Sequence, residues 1–283
     1  MLDRWLLIGS TGRVGRMLAR HWDECPPEQA ELVRQSRGDP AEVRWDPLLS
    51  SFPQEHGAFS CFIVLAGIVP GTGSDLRLNR DLAEAILRAA HDTGVSRVLL
   101  SSSSAVYGAP PGRHAFRETD PLEPRNAYGE AKCDMETVCA PWRARGLEIC
   151  CLRIGNVCGA DMLLTNSSRM ETGESLHIDR FDDGAGPERS YIGPATLARV
   201  LETLAHHPAP LPETLNVAAP DPVTMAALAS LADIPWAWKP APIGAYQNIT
   251  LDCERLAEFY PFSVSDSDPA EMIRQWLRLR DTK

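Results

Sequence analysis

The run Trp5-Leu6-Leu7-Ile8 passes without a break into Gly9-Ser10-Thr11-Gly12-Arg13-Val14-Gly15, and a helical period then continues from Val14 to Trp22. An apolar run of strand length, three glycines three residues apart and a helix start form an arrangement in which backbone N–H groups and a helix N-terminus receive an anion. Gly9 and Gly12 permit a tight turn and the close approach of a pyrophosphate, and Gly15 lets helix and strand pack closely. Thr11, Arg13 and Val14 occupy the intervening positions of the same cradle. The plainer alternative is an ordinary strand-to-helix turn. The place of the turn at the head of a βαβ pattern favours a dinucleotide site.

That pattern runs on through the first half of the chain. Strand-like runs lie at Glu31 to Gln35, Glu42 to Trp45, Cys61 to Ala66, Arg97 to Ser102 and Glu148 to Arg153, with helical periods at Leu76 to Thr93 and Ala127 to Val138. Such alternation builds a parallel sheet covered on both faces. The predicted fold class is α/β: a Rossmann-type doubly wound parallel sheet from Met1 over residues 1–158, then a smaller C-terminal substrate-binding lobe over residues 159–283. Helices are expected at Ala195 to Leu204, Pro222 to Leu231 and Pro269 to Leu279, and a short strand at Thr214 to Val217. The stretch from Asn166 to Arg189, rich in Gly, Ser, Asp and Glu, reads as loop-rich structure on the substrate side.

Composition narrows the partners. The chain has 283 residues, 44% of them apolar and 23% charged, which is ordinary globular usage. Its 28 Lys and Arg against 38 Asp and Glu leave a net charge of −10, which argues against nucleic acid or an anionic membrane as the main partner. No apolar stretch approaches the roughly 20 residues of a membrane span. With no cleavage-type leader before the first strand, the cytoplasm is the expected location. Eight cysteines show neither a C-x-x-C pair nor histidines at zinc-ligand spacing, so reduced core thiols and no metal site are expected.

Roughly twenty residues past the glycine turn, where an acidic residue would bind the ribose hydroxyls of NAD, stands Leu32-Val33-Arg34-Gln35-Ser36-Arg37. Arg34 and Arg37 can pair with a ribose 2′-phosphate, which predicts NADP rather than NAD; otherwise they are solvated loop charges. Asp46 can accept from an adenine amino group, or simply form a turn before Pro47. Further on, Tyr128-Gly129-Glu130-Ala131-Lys132 sets a phenol and an ammonium four residues apart on one helix face. A neighbouring Lys⁺ favours the phenolate, so Tyr128 can exchange a hydroxyl proton at neutral pH. Upstream, Arg97-Val98-Leu99-Leu100-Ser101-Ser102-Ser103-Ser104 is a buried-type strand ending in hydroxyls at the sheet's carboxyl edge, where ligands bind.

These features, with Leu152-Arg153-Ile154-Gly155-Asn156-Val157-Cys158-Gly159, make the chain resemble the extended short-chain dehydrogenase/reductases, the NAD(P)-dependent epimerase/dehydratase family, over nearly its whole length. The resemblance implies that Ser103 is the catalytic hydroxyl, and that Lys132 also holds the nicotinamide ribose. It implies further that Leu65-Ala66-Gly67 lines the nicotinamide side and that Asn79 lies near the cofactor. Ser104, Asn156 and Arg189 are the implied substrate contacts, the last two at a sugar nucleotide's phosphates. It also implies that segments near 190–204 and 214–218 return to the large domain, and that the chain forms a homodimer through the helices of Asn79 and Tyr128. Ser103-Ser104-Ala105 carries no carboxylate where sugar dehydratases of the family have their acid and base, so dehydration is disfavoured. The expected function is an NAD(P)-dependent epimerase or oxidoreductase at a secondary alcohol, with a nucleotide sugar as candidate substrate. The alternatives are a small-carbonyl reductase and a non-catalytic NADP-binding regulatory or sensor protein.

Overall fold

Leu6 and Ile8 face one side of the first strand and Trp5 and Leu7 the other, all buried, so this strand must lie inside a two-sided sheet. The computed structural model describes residues 2–39, 41–109, 114–167, 170–171 and 173–280. Met1, and residues 168, 169 and 172 of the expected loop-rich stretch, lie outside the described residues.

The first half comprises β1 (Asp3–Ile8), α1 (Arg13–Glu24), β2 (Ala30–Ser36), β3 (Val43–Arg44), β4 (Cys61–Val64), α2 (Leu78–Asp92), β5 (Arg97–Ser103), α3 (Ala127–Thr137), α4 (Cys139–Arg143) and β6 (Glu148–Ile154). There follow β7 (Asn156–Val157), α5 (Met162–Ser167), β8 (Leu176–Arg180), β9 (Glu188–Arg189), β10 (Tyr191–Ile192), α6 (Pro194–His206) and β11 (Thr214–Val217). The chain continues with β12 (Val223–Thr224), α7 (Met225–Leu231), β13 (Trp236–Pro240), β14 (Asn248–Ile249), α8 (Glu254–Ala257), α9 (Val264–Ser267) and α10 (Pro269–Leu279).

Seven strands form one parallel sheet in the order β11-β6-β5-β4-β1-β2-β3. The chain leaves β1 toward β2 and β3, then returns to place β4 on the other side of β1. The strand order therefore reverses between β1 and β4, and in open α/β sheets the crevice at the carboxyl ends there is where ligands bind. One buried cluster joins Trp5, Leu7, Ile63, Leu99 and Leu152 to α1 and α6; the other joins Leu6, Phe62, Val98 and Ile149 to α2, α3 and α4. A third, around Leu163, Ile178, Tyr191, Leu228 and Met272, is the core of the smaller lobe.

Three expectations change at their edges. The strand expected to reach Ala66 stops at Val64, because Leu65 and Ala66 N–H both turn onto the carbonyl of Ile8. The helix expected from Pro222 begins at Met225, capped by the Thr224 hydroxyl. The stretch from Asn166 to Arg189 holds two strands: β8 pairs in parallel with β13, and β9 lies between β12 and β14. β8 is ordered by a partner sixty residues away, a pairing that local periodicity does not display.

Candidate active site

The glycine turn sits at the sheet's reversal point, between β1 and α1. Gly9 has φ +88°, and a Cβ there would stand 2.5 Å from the Ala66 nitrogen; a Cβ on Gly15 would meet the Gly9 carbonyl at 2.2 Å. Only glycine fits either place. Gly12 precedes the first turn of α1, offers no side chain to its N–H groups, and no acidic residue stands in that turn. The unclaimed donors and the glycine-lined opening suit a pyrophosphate. The cavity beside them is lined among others by Gly9, Thr11, Gly12, Arg37, Asp46, Leu65, Ala66 and Gly67.

Of the two arginines expected at a 2′-phosphate, the structure brings only Arg37 to this cavity. Arg34 is engaged elsewhere: its guanidinium pairs with Asp23 of α1 and donates to the Ala19 carbonyl. Neighbours on a strand face opposite ways, so Gln35 takes the inward place, accepting from Gly9 N–H at 3.0 Å. Gln35 and Ser36, which sequence reasoning passed over, line the cavity instead. Asp46 lines it too, while its carboxylate accepts from Leu48 N–H at 3.0 Å in an Asx turn. Asn79 is buried and spends its amide on backbone, bonding Ile68 N–H and carbonyl at 2.9 Å each and the Leu76 carbonyl at 2.9 Å. It braces the loop after Gly67 and does not line the cavity.

A second cavity continues from Leu65 and Gly67 along the sheet edge. Arg13, Val14, Ser103, Tyr128, Lys132 and Asn156 line it together. β5 delivers Ser103 at its last position. Asn126 caps α3, accepting from Gly129 N–H at 2.9 Å, and so sets Tyr128 in the first turn with Lys132 one turn on. Gly129 is required for the close seat, since a Cβ there would stand 2.3 Å from the Ala105 carbonyl. Lys132 is buried, donates to the Ser101 carbonyl at 3.0 Å, and lies 5.9 Å from the Tyr128 ring centre. Burial raises the Tyr128 phenol above its ordinary range, and its hydrogen bond with Ser103 works against that rise. Burial brings the Lys132 ammonium down to about 8, against the field of Glu136, which raises it.

Ser104, expected beside the substrate, does not line the crevice. β5 ends at Ser103, whose hydroxyl accepts from Ala105 N–H at 3.2 Å, and Ser104 opens a 3₁₀ turn leading away. Arg13 reaches across to the lobe, donating to Thr165 Oγ1 at 2.9 Å.

Asn156, Asp161 and Met162 join this crevice to a third cavity inside the lobe. Arg189 lines it, donating to the carbonyls of Glu188, Gln247 and Tyr246 at 2.7, 2.6 and 3.1 Å. All three acceptors are neutral, and burial pushes the guanidinium down from its ordinary value. His177, Asp179 and Lys239 share the lining, with Lys239 paired to Asp179 at 3.3 Å. No motif pointed to these three; β8 and β13 bring them together across sixty residues.

The family model for the NAD dependent epimerase/dehydratase family matches residues 5–218. A UDP-glucose 4-epimerase from Lacticaseibacillus casei is 40% identical over 77 residues, 26% of this chain and 23% of that protein. The matched stretch thus spans under a quarter of the curated relatives' own length. Among solved structures, the NAD dependent NDP-hexosamine 5,6-dehydratase TunA, involved in tunicamycin biosynthesis, superposes with a TM-score of 0.78 at 20% identity over 99% of both chains. A UDP-glucuronic acid 4-epimerase variant from Bacillus cereus, in complex with UDP-4-deoxy-4-fluoro-glucuronic acid and NAD, gives 0.78 at 15% identity over 98% of both. At such identities the likeness shows the fold.

Proposed function

The chain belongs to the NAD dependent epimerase/dehydratase family, and from that premise we propose that it is an NAD-dependent epimerase or oxidoreductase acting at a secondary alcohol of a nucleotide sugar. One observation carries the reading. Three cavities that share lining residues run in order from the glycine turn, past Ser103, Tyr128 and Lys132, to the half-buried guanidinium of Arg189, which pairs with no carboxylate among the described residues. That order suits a cofactor at one end, proton transfer in the middle and an anionic handle at the other.

Ser103 orients the substrate hydroxyl, and Tyr128 exchanges the hydroxyl proton at its phenolic oxygen. Lys132, four residues on, favours the phenolate by its charge. The nicotinamide ring of the bound cofactor supplies the site to which hydride is delivered and from which it returns. Gly9, Thr11, Gly12, Arg13, Val14 and Gly15 would hold its pyrophosphate. Leu65, Ala66 and Gly67 would face its nicotinamide half, and Arg37 and Asp46 its adenosine half. Asn156 and Arg189 take the substrate's phosphates, where a guanidinium is suited to bidentate contact.

The cofactor is read as NAD, in place of the NADP expected from Arg34 and Arg37. The matching family is NAD dependent, the Bacillus cereus relative holds NAD, and Arg34 is engaged with Asp23. Residues 1–158, with α6 and β11, form the cofactor domain, and the rest after residue 159 forms the substrate lobe. Assembly as a homodimer through α2 and α3, in the cytoplasm, completes the reading. Incubating NAD-loaded protein with UDP- and GDP-sugars and resolving the products by chromatography tests it. Interconversion of epimers, or net oxidation with NADH formation, supports it; no saturable binding of any nucleotide sugar rejects it.

A further inference from the structure

Behind α3 lies a buried polar cluster that the chemistry above does not use. Glu136 stands four residues past Lys132, on the same helix, with a side chain only 10% exposed. Its Oε1 accepts from the Ser102 hydroxyl at 2.5 Å and from Arg153 Nε at 3.1 Å, and its Oε2 accepts from Arg153 Nη2 at 2.8 Å. Arg153 Nη1 donates to the Tyr107 hydroxyl at 3.0 Å and to the Glu118 carbonyl at 3.1 Å. Tyr107 in turn donates to Asn216 Oδ1 at 2.6 Å. A carboxylate clasped this way cannot swing. Lys132, by contrast, bonds only neutral atoms among the described residues, the Ser101 carbonyl and, at 3.6 Å, Met135 Sδ.

We propose that Glu136 is a positioning residue for the Tyr128–Lys132 pair: a fixed anion one helical turn behind Lys132 that keeps the buried ammonium charged, with Arg153 setting how much of that field Lys132 feels. The inference rests on the reading that Tyr128 and Lys132 carry the proton step. The other groups facing Lys132 are few. Its own helix presents the Tyr128 phenol, β6 presents the Cys151 thiol, and the neutral Asn79 amide of α2 lies beyond Gly67. Among the charges that hold the proton on Lys132, Glu136 acts most strongly.

The chain has three lysines, Lys132, Lys239 and Lys283, so its lysine side chains can be followed one by one. Lysine labelled with ¹³C at the ε position, read by NMR across a pH series, gives the Lys132 titration directly; Lys239→Arg and Lys283→Arg assign the signals. No turnover is needed. In the unaltered protein the midpoint of Lys132, brought down by burial, is expected at about 8. Glu136→Gln keeps the shape and should lower that midpoint by about one pH unit, the scale of one charge at this separation in a protein interior. Arg153→Gln leaves the carboxylate uncompensated and should raise it. Opposite shifts support the proposal. An unmoved midpoint in Glu136→Gln, or shifts of the same sign, overturn it. If Glu136→Gln does not fold, Arg153→Gln alone decides, upward for and unmoved or downward against. Should these midpoints fail to shift while Tyr128→Phe is inactive, this inference falls and the functional reading stands. An active Tyr128→Phe beside opposite shifts means the converse: the functional reading falls, and the field of Glu136 on Lys132 stands.

Discussion

An Arg–Glu pair stands at each end of the β5–β6 pairing, one between the two strands and one between β6 and α3, and the two pairs do different work. At the amino ends Arg97 meets Glu148 at 2.9 and 3.1 Å; at the carboxyl ends Arg153 meets Glu136 at 3.1 and 2.8 Å. The chemistry is the same and the surroundings are not. Arg97 spends its other donors on the carbonyls of Leu204, His207 and Ala209, at and after the last turn of α6, where a cation satisfies orphan acceptors. Arg153 spends its own on a tyrosine and a loop, and its partner carboxylate touches Ser102, next to the hydroxyl that lines the crevice. The first pair ties a helix to the sheet. The second lies under the proposed reaction site. In a parallel sheet the carboxyl edge is where polar side chains converge on a ligand, and the amino edge is free to be sealed.

Four experiments bear on that division, ordered by expected size. Tyr128→Phe touches only the carboxyl edge and should cut kcat about a thousandfold, within the usual range for a lost proton carrier, while NAD affinity by calorimetry stays within about twofold. Retained turnover would separate the edge from the chemistry. Arg97→Met strips the amino edge and leaves the half-buried Glu148 with the Leu211 N–H as its remaining partner. With the lost bonds to the α6 carbonyls it should cost about 2–4 kcal/mol in denaturant unfolding, with kcat per folded molecule unchanged. A kinetic defect there would erase the contrast between the edges. Arg189→Ala removes the proposed charged contact with the substrate's phosphates, one that would be made equally to ground and transition states. It should raise KM about 10- to 100-fold with little change in kcat, as steady-state kinetics would report.

Fourth comes a pH effect of smaller size. The folded value of Lys132 near 8 lies below its ordinary 10.5, so folding binds this proton more weakly. The resulting destabilisation is complete below about 8 and is relieved as pH rises toward 10.5. Unfolding measured at pH 7 and pH 9.5 should therefore show Lys132→Met gaining on the unaltered protein at the lower pH more than at the higher. No pH dependence in that difference would mean that Lys132 is not strained as a cation.

Much of this was open to reading before any coordinates. The glycine turn, the Tyr128–Lys132 spacing and the β-rich runs are local patterns, and local patterns survive in one dimension. What escaped depended on facing or on distance. Arg34 and Gln35 are adjacent, and which of them meets the crevice is decided by the pleat, not by residue type. The Glu136–Arg153 pair joins a helix to a strand 17 positions on, a spacing with no periodic signature. His177 and Lys239 converge only because β8 finds β13.

The place of β11 bears on how the chain folds as it emerges during synthesis. β11 joins the sheet beside β6, yet the elements β7 through α6 intervene between them in sequence. Until residue 217 is available, β6 is an open edge, its unpaired backbone groups flanked by Cys150, Leu152 and Ile154, all buried in the finished fold. At roughly 5–20 residues per second, the 63 positions from the end of β6 to the end of β11 keep that edge waiting for several seconds. The nascent protein is thus most exposed to wrong pairing with its neighbours while its sheet has six strands and its lobe is still being made.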